Sequence, residues 1–468
     1  MVFSSPIFLF FFLPVTYLIY RLLPNMAARN VWLALASLVF YSFGRPVYLL
    51  LLLASVGMNY LFGRLLTSGR RGRRVAVACA VAANLVLLGA FKYLDFFAQT
   101  LNALLSLELP LPGVALPVGI SFYTFQGLSY VIDVYREPQS GTRNLGKLIL
   151  YISFFPQLIA GPIIKYHDIS CQIDRRELTP NLTLMGLRRL IAGLAKKLLL
   201  ANTAGQVADA VFAMSAGELD MRLAWLGAVC YTLQIYFDFS GYSDMAIGLG
   251  GMFGFTFAEN FNLPYCSRSI KEFWRRWHIS LSSWFRDYLY IPLGGSRRGK
   301  TRTWRNKVVV FFATGLWHGA NWTFVLWGLW HGLFSTLEDA GVIPKRLRQS
   351  PLGHVYTMLV VVLGFTLFRA DTLGAAALMF SQMFAGVAFT QAHTLTLISL
   401  LDARTVFFLA AGVLLAVGLP QRLAASLGQR APRAARQGVC TAAYAALFAV
   451  CVLVLSNATF NPFIYFQF

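Results

Sequence analysis

Between Val75 and Phe91 the sequence reads VAVACAVAANLVLLGAF, an apolar run without a charge, and Arg70, Arg71, Arg73 and Arg74 stand just before it. A helix needs ~20 mostly apolar residues to cross a bilayer, so the run predicts a membrane span. The arginines predict a cytoplasmic loop, because basic residues collect on that side. Similar runs lie on either side: Pro6–Tyr20, Val31–Phe43, Val47–Phe62, Leu148–Ile164, Leu223–Phe239, Val308–Trp317, Phe324–Phe334, Tyr356–Phe368, Val406–Leu419 and Ala442–Leu455. With short loops they predict an all-α polytopic membrane protein, one domain over residues 1–468, with roughly ten to twelve crossings. The first run has no basic residue before it and no small-residue cleavage site after it, so it reads as a retained span.

Composition agrees. Hydrophobic residues make up 57% of the chain and charged residues 13%, whereas a soluble domain carries about 45–50% and about 25%. That excludes a soluble enzyme. The 40 Lys and Arg against 19 Asp and Glu give a net charge of +21, which in a membrane protein points to anionic lipid headgroups and away from nucleic acid. The six cysteines are scattered with no close pair, so neither a zinc site nor a disulfide framework is indicated.

The segment Leu116–Tyr135, LPVGISFYTFQGLSYVIDVY, mixes Gly, Ser, Thr and Gln into apolar sequence and should lie against protein or line a cavity, away from lipid. Lys345, Arg346 and Arg348, and Arg422, Arg430, Arg433 and Arg436, mark two further cytoplasmic loops, which places the tail Asn457–Phe468 outside. The longest polar interval, Arg268–Lys307, holds eleven basic residues (Arg268, Lys271, Arg275, Arg276, Arg286, Arg297, Arg298, Lys300, Arg302, Arg305 and Lys307) against Glu272 and Asp287. Two readings stand: a solvated face against lipid headgroups, or a surface that attracts an anionic acyl donor.

Within that interval Ile270–Tyr288 has helical periodicity, with Ile270, Phe273, Trp277, Trp284 and Tyr288 on one stripe and His278 at its edge. An interfacial amphipathic helix accounts for all of it except the histidine. The second focus is Phe311–Gly332, FFATGLWHGANWTFVLWGLWHG, where His318 sits in an aromatic run between Gly315 and Gly319 and shortly before Asn321. An imidazole at membrane depth needs a partner or a cavity, so His318 is a functional candidate, with an interhelical hydrogen-bonding role as the plainer account. His331 repeats the Trp-His-Gly triplet; on a continuous helix it would point ~140° away from His318, which makes it the structural histidine. His167, His354 and His393 are isolated and read as surface or interface residues. Asp238 and Asp244, in IYFDFSGYSDMAIG, read as a hydrogen-bonded network with Ser240, Tyr242 and Ser243 or as part of a polar path. No Gly-x-Ser-x-Gly elbow, His-Glu-x-x-His helix or dinucleotide fingerprint is present.

The segments ALPVGISFYTFQGLSYVIDVYR, LIAGPIIKYHDI, YFDFSGYSDMAIGLGGMFGF, ENFNLPYCSRSIKEFWRRWHISLSSWFRDYLYIPLGG and TGLWHGANWTFVLWGLWHG together resemble the membrane-bound O-acyltransferase family. The resemblance is to its bacterial branch, and the opening MVFSS and the YIPLGG segment are closer to the alginate O-acetylation type than to the D-alanyl type. It implies tilted helices, with amphipathic or re-entrant ones, around a central tunnel that joins a cytoplasmic donor to an extracytoplasmic acceptor. It also implies that His318 is catalytic and that His278 is a second functional position. Arg275, Arg276 and Trp277 beside His278, and Trp317 and Asn321 beside His318, become candidate substrate-binding residues.

Acyl transfer from a thioester to a hydroxyl needs a base, and histidine, with an unperturbed pKa of ~6.5, suits it. The expected arrangement has neutral His318 deprotonating the hydroxyl while His278 orients the donor or stabilises the oxyanion. A transient acyl-histidine stays open. The expected donor is acetyl-CoA, used as a substrate, with no bound cofactor or metal. The expected acceptor is an exported polysaccharide or a periplasmic relay protein, and the expected location is the bacterial inner membrane. D-alanyl or other acyl transfer from a carrier protein is the alternative in the same class. A polymer or lipid transporter is the alternative in another, and it predicts repeats of broken helices.

Overall fold

The computed structural model describes residues 1–68, 72–420, 433–457 and 463–464. Arg70, Arg71, Arg422 and Arg430 and most of the tail lie outside them, and with them the topology expected from those residues. Among the described residues the regular structure is all helical, without a strand. Val47–Thr67, Arg73–Lys92, Leu352–Arg369 and Gln437–Ser456 are long and apolar enough to cross a membrane. Gln391–Leu400 and Ala403–Ala416, bent by 69°, make a fifth span if they are counted as one. This is a multi-pass membrane protein.

Several expected runs fold differently, for local reasons. Lys300–His318 carries Lys300, Arg302, Arg305 and Lys307 in its first turns, so only its second half is apolar. The run Leu148–Ile164 is no single helix: Leu145–Ser153 stops at Phe154, whose ψ of 112° is extended, and a single turn, Phe155–Leu158, follows with Pro156 in it. Leu373–Ala385 is an apolar helix that the periodicity did not anticipate.

The chain packs as two units. One comprises Met1–Leu190 and Ser243–Ala258. In it, Ile120–Arg136 is buried over nearly its whole length, as its mixed composition predicts, and packs on Val47–Thr67 and Arg73–Lys92. Asn59 and Asn84, both buried, exchange amide hydrogen bonds of 2.9 and 3.2 Å, which lowers the cost of carrying amides between apolar helices. Gly127 fits against this pair because it has no side chain. Asp244 is paired with Arg189 at 2.9 Å.

The other unit comprises Ile191–Tyr242 and the described part of Glu259–Thr459. Asp238 forms a buried ion pair of 2.5 Å with Lys197, at the π-helix Lys196–Ala201. Each of the two aspartates is thus paired with a cation. Lys300–His318 and Trp322–Ala340 form a tight helical hairpin, against which Leu352–Arg369 packs. The hairpin closes on glycine: a Cβ on Gly315 would strike the carbonyl of Phe324, and one on Gly328 the carbonyl of Phe311. Between helices in lipid, such small residues permit backbone approach and dispersion contact.

Candidate active site

His318 is the last residue of Lys300–His318, and Gly319 takes an extended conformation after it. Asn321 then starts the next helix, its Oδ1 accepting the Thr323 N–H at 3.1 Å while its Nδ2 donates to the Asp371 carbonyl at 2.8 Å. The chain therefore turns back between the two Trp-His-Gly triplets, where one continuous helix had been the premise for separating them. His318 and His331 both meet Trp327 edge-on, with ring centroids 4.9 and 5.3 Å from it. His331 is stacked on Phe273 at 6.0 Å and meets Trp274 edge-on at 5.3 Å, deep in an aromatic cluster.

The segment Ile270–Tyr288 is not one helix. Ile270–Arg276 and Ile279–Phe285 are separated at His278, which adopts φ 42° and ψ 55°, and a π-helix Arg286–Tyr290 follows. The left-handed region is uncommon for a residue with a side chain, though histidine is among those enriched there. The conformation is held by the loop before it: Asn262 N–H donates to the Arg276 carbonyl at 2.9 Å, and Ile279 N–H to the Asn260 carbonyl at 3.0 Å. These bonds take the backbone around His278 out of the helical ladder. Glu338, buried on Trp322–Ala340, accepts the N–H groups of Ile270 at 2.6 Å and Lys271 at 3.2 Å, and so anchors the start of the segment.

The break brings His278 to His318. The two ring centroids are 6.5 Å apart, and Trp317 borders both, at 6.1 Å from His278 and 5.0 Å from His318. Phe239 closes over His278 at 4.6 Å and Phe368 over His318 at 5.3 Å. Both imidazoles are buried, His278 at 0% and His318 at 3% exposure. His278 lies outside every candidate span, and burial pushes its pKa down to about 3, so the ring is neutral. The candidate site is thus two adjacent buried imidazoles bordered by aromatic rings, an arrangement that suits proton transfer from a weakly acidic hydroxyl.

The other candidates separate. Trp317 is in the enclosure, whereas Trp277 is packed among Phe261, Tyr265, Phe273 and Phe365. Arg276 pairs with Glu272 at 2.8 Å and donates to the Asn262 carbonyl, which makes it a brace for the loop, while Arg275 is exposed. Asn321 is used as a cap. The basic interval is also less bare than its sequence suggests, because Asp339 on Trp322–Ala340 pairs with both Lys271 and Lys307. Arg268 and Arg286 are exposed but engaged, by His354 and by Asp287, and Arg275 and the group Arg297, Arg298, Lys300, Arg302 and Arg305 are exposed as well. Gly294, Gly299, Lys300 and Thr301 have the spacing of a phosphate loop, Gly-x-x-x-x-Gly-Lys-Thr. A phosphate loop follows a strand; this segment follows a π-helix, so the match is one of spacing alone.

His167 bridges Asp133 and Asp168 at 3.0 and 2.9 Å, His354 accepts from Arg268 Nε at 3.1 Å, and His393 caps its own helix. Among the described residues, no group of three or more His, Cys, Asp and Glu side chains is arranged to hold a metal ion. Asn260, Trp327, Phe239 and Phe368 complete the site without having been singled out. No spacing rule links a loop asparagine to a histidine 18 residues away.

The family model for MBOAT, the membrane-bound O-acyltransferase family, matches residues 136–341, a range that holds both imidazoles. A protein named probable alginate O-acetylase AlgI from Azotobacter vinelandii is 42% identical, with 100% of both chains aligned. A peptidoglycan O-acetyltransferase from Helicobacter pylori is 37% identical over 69% of this chain and 67% of its own. A teichoic acid D-alanyltransferase from Bacillus subtilis is 30% identical over 43% of this chain and 53% of its own.

Proposed function

The chain belongs to the membrane-bound O-acyltransferase family, and from that membership we propose that it moves an acetyl group from a cytoplasmic thioester, acetyl-CoA, to a hydroxyl across the bacterial inner membrane. The acceptor is an exported polysaccharide of the alginate kind or a periplasmic protein that relays the acetyl group to it. That the enzyme is an O-acyltransferase follows from the family and its acetylating and alanylating relatives. The acetyl assignment is favoured by the relative that aligns over the full length of both chains, whereas the D-alanyl relative aligns over less than half of this one.

The observation that carries the mechanism is the pair of buried imidazoles 6.5 Å apart beside Trp317. His318 takes the proton of the acceptor hydroxyl as its oxygen attacks the thioester carbonyl. The C–O bond forms, the C–S bond breaks, and the departing thiolate takes the proton back from the imidazolium. The aromatic rings exclude water, which would otherwise hydrolyse the thioester. The exposed arginines and lysine from Arg297 to Arg302 draw the phosphates of the donor to the cytoplasmic face.

The test supplies membranes containing the full chain with acetyl-labelled CoA and an alginate-type polymer. Labelled ester in the polymer or in a periplasmic protein is expected. Transfer from a D-alanyl carrier in place of acetyl-CoA would replace this assignment with the alternative.

A further inference from the structure

Asn260 is buried and grips three consecutive residues around the second imidazole. Its carbonyl accepts Ile279 N–H, and its Oδ1 faces Ser280 N at 3.2 Å, Ser280 Oγ at 2.9 Å and His278 Nδ1 at 3.1 Å. The amide orientation follows from the backbone. Ser280 N–H is an obligatory donor, so the side-chain atom it meets is the carbonyl oxygen of Asn260 and not its NH2. A carbonyl oxygen accepts only, so the His278 nitrogen facing it carries the hydrogen. In a neutral ring the lone pair then lies on Nε2. Ser280 Oγ, 3.4 Å from Nδ1, is already turned to Oδ1 by its shorter bond. His278 Nε2 is buried and has no hydrogen-bond partner among the described residues.

We infer that Asn260 is a positioning residue for acyl transfer: it locks His278 as the Nδ1–H tautomer, so that His278 presents a lone pair to the site and acts as a hydrogen-bond acceptor, not as an oxyanion donor. The inference deepens the acyltransfer reading and rests on it. A neutral Nε2 without a proton has none to give an oxyanion, and the low pKa of the buried ring disfavours the imidazolium that would. His278 instead receives a hydrogen bond from a hydroxyl of the acceptor and holds that substrate beside His318.

The first test reads the tautomer in the wild-type protein and uses a variant only to assign the signals. In membranes holding the full chain labelled with 15N-histidine, the His278 signals are assigned by difference from His278→Gln. A pyrrole-type Nδ1 and a pyridine-type Nε2 are expected; the reverse tautomer would overturn the proposal, whatever the activity assay shows.

The second test uses Asn260→Asp and Asn260→Ala. A carboxylate still accepts from Nδ1–H but favours the imidazolium, so the acid limb of the pH–rate profile should move up by about one unit or more, with activity kept at alkaline pH. Asn260→Ala should lose kcat at every pH. If both variants lose the same activity with an unshifted profile, Asn260 is structural and the proposal fails. If the wild-type membranes transfer no acetyl group at all, the acyltransfer reading fails, and the tautomer measurement still decides the proposal.

Discussion

The Glu338 carboxylate accepts the peptide N–H of Ile270 at 2.6 Å, tying the helix that carries His331 to the segment that carries His278. Glu338 is 3% exposed, and Tyr356 Oη also donates to it, at 3.3 Å. Glu338→Ala leaves buried donors without an acceptor, at a cost of about 2 kcal/mol or more. Glu338→Gln keeps one accepting oxygen and should cost less. Thermal melting of the detergent-solubilised protein checks the order; an Ala variant that melts with the wild type would show that the anchor does not matter.

The two Trp-His-Gly triplets should separate cleanly in function. His318→Ala should abolish acetyl transfer while the protein still reaches the membrane in normal amount. His331→Leu, which replaces a ring stacked on Phe273, should lower stability yet retain measurable transfer. Quantitative immunoblotting of membranes alongside the labelled-ester assay decides between them. A fully active His318→Ala variant would remove that residue from the mechanism.

Gly328→Ala places a methyl against the Phe311 carbonyl, and Gly315→Ala one against Phe324. Neither backbone has room to yield without parting the hairpin, so each should cost about 1–3 kcal/mol. Activity should fall further than stability, because His318 is three residues beyond Gly315 and moves with it. Wild-type melting and transfer in both variants would disprove the close approach.

Replacing Arg297, Arg298 and Lys300 together by Gln should raise the KM for the anionic donor by roughly tenfold at low salt and leave kcat little changed. It should also flatten the dependence of KM on ionic strength, since exposed charges are screened over about 10 Å at 0.1 M salt. Steady-state kinetics at two salt concentrations reads both effects. An unchanged KM would return this group to the role of a lipid-facing surface.

Much of the fold was legible because lipid imposes a simple rule: a span must be long, apolar and helical. Val47–Phe62, Val75–Phe91 and Tyr356–Phe368 each fall within a helix that meets it. The buried helix Ile120–Arg136 was legible for the converse reason, its Ser, Thr and Gln being unfit for lipid. The break at His278 was not. The apolar positions of Ile270–Tyr288 keep a helical period, and what interrupts the helix is a pair of backbone bonds from Asn260 and Asn262, remote in sequence. The chain reversal after His318 was half legible, because Gly319 and Asn321 are an end and a cap, yet the apolar run continues through them. Asp339 escaped for the same reason as Asn260: it neutralises Lys271 and Lys307 from another helix, which a local count of charges cannot register.

The φ of 42° at His278 makes conformation and chemistry separable at this position. Most side chains resist the left-handed region, so nearly every substitution there adds backbone strain to the loss of the imidazole. Glycine alone enters it without cost. A His278→Gly protein would keep the break between its two helices and the backbone bonds of the preceding loop, and would lack the ring beneath Phe239 together with its bond to Asn260 Oδ1. Free imidazole added to such a protein becomes a detachable side chain, whose ring substituents and intrinsic basicity can be varied without altering the polypeptide.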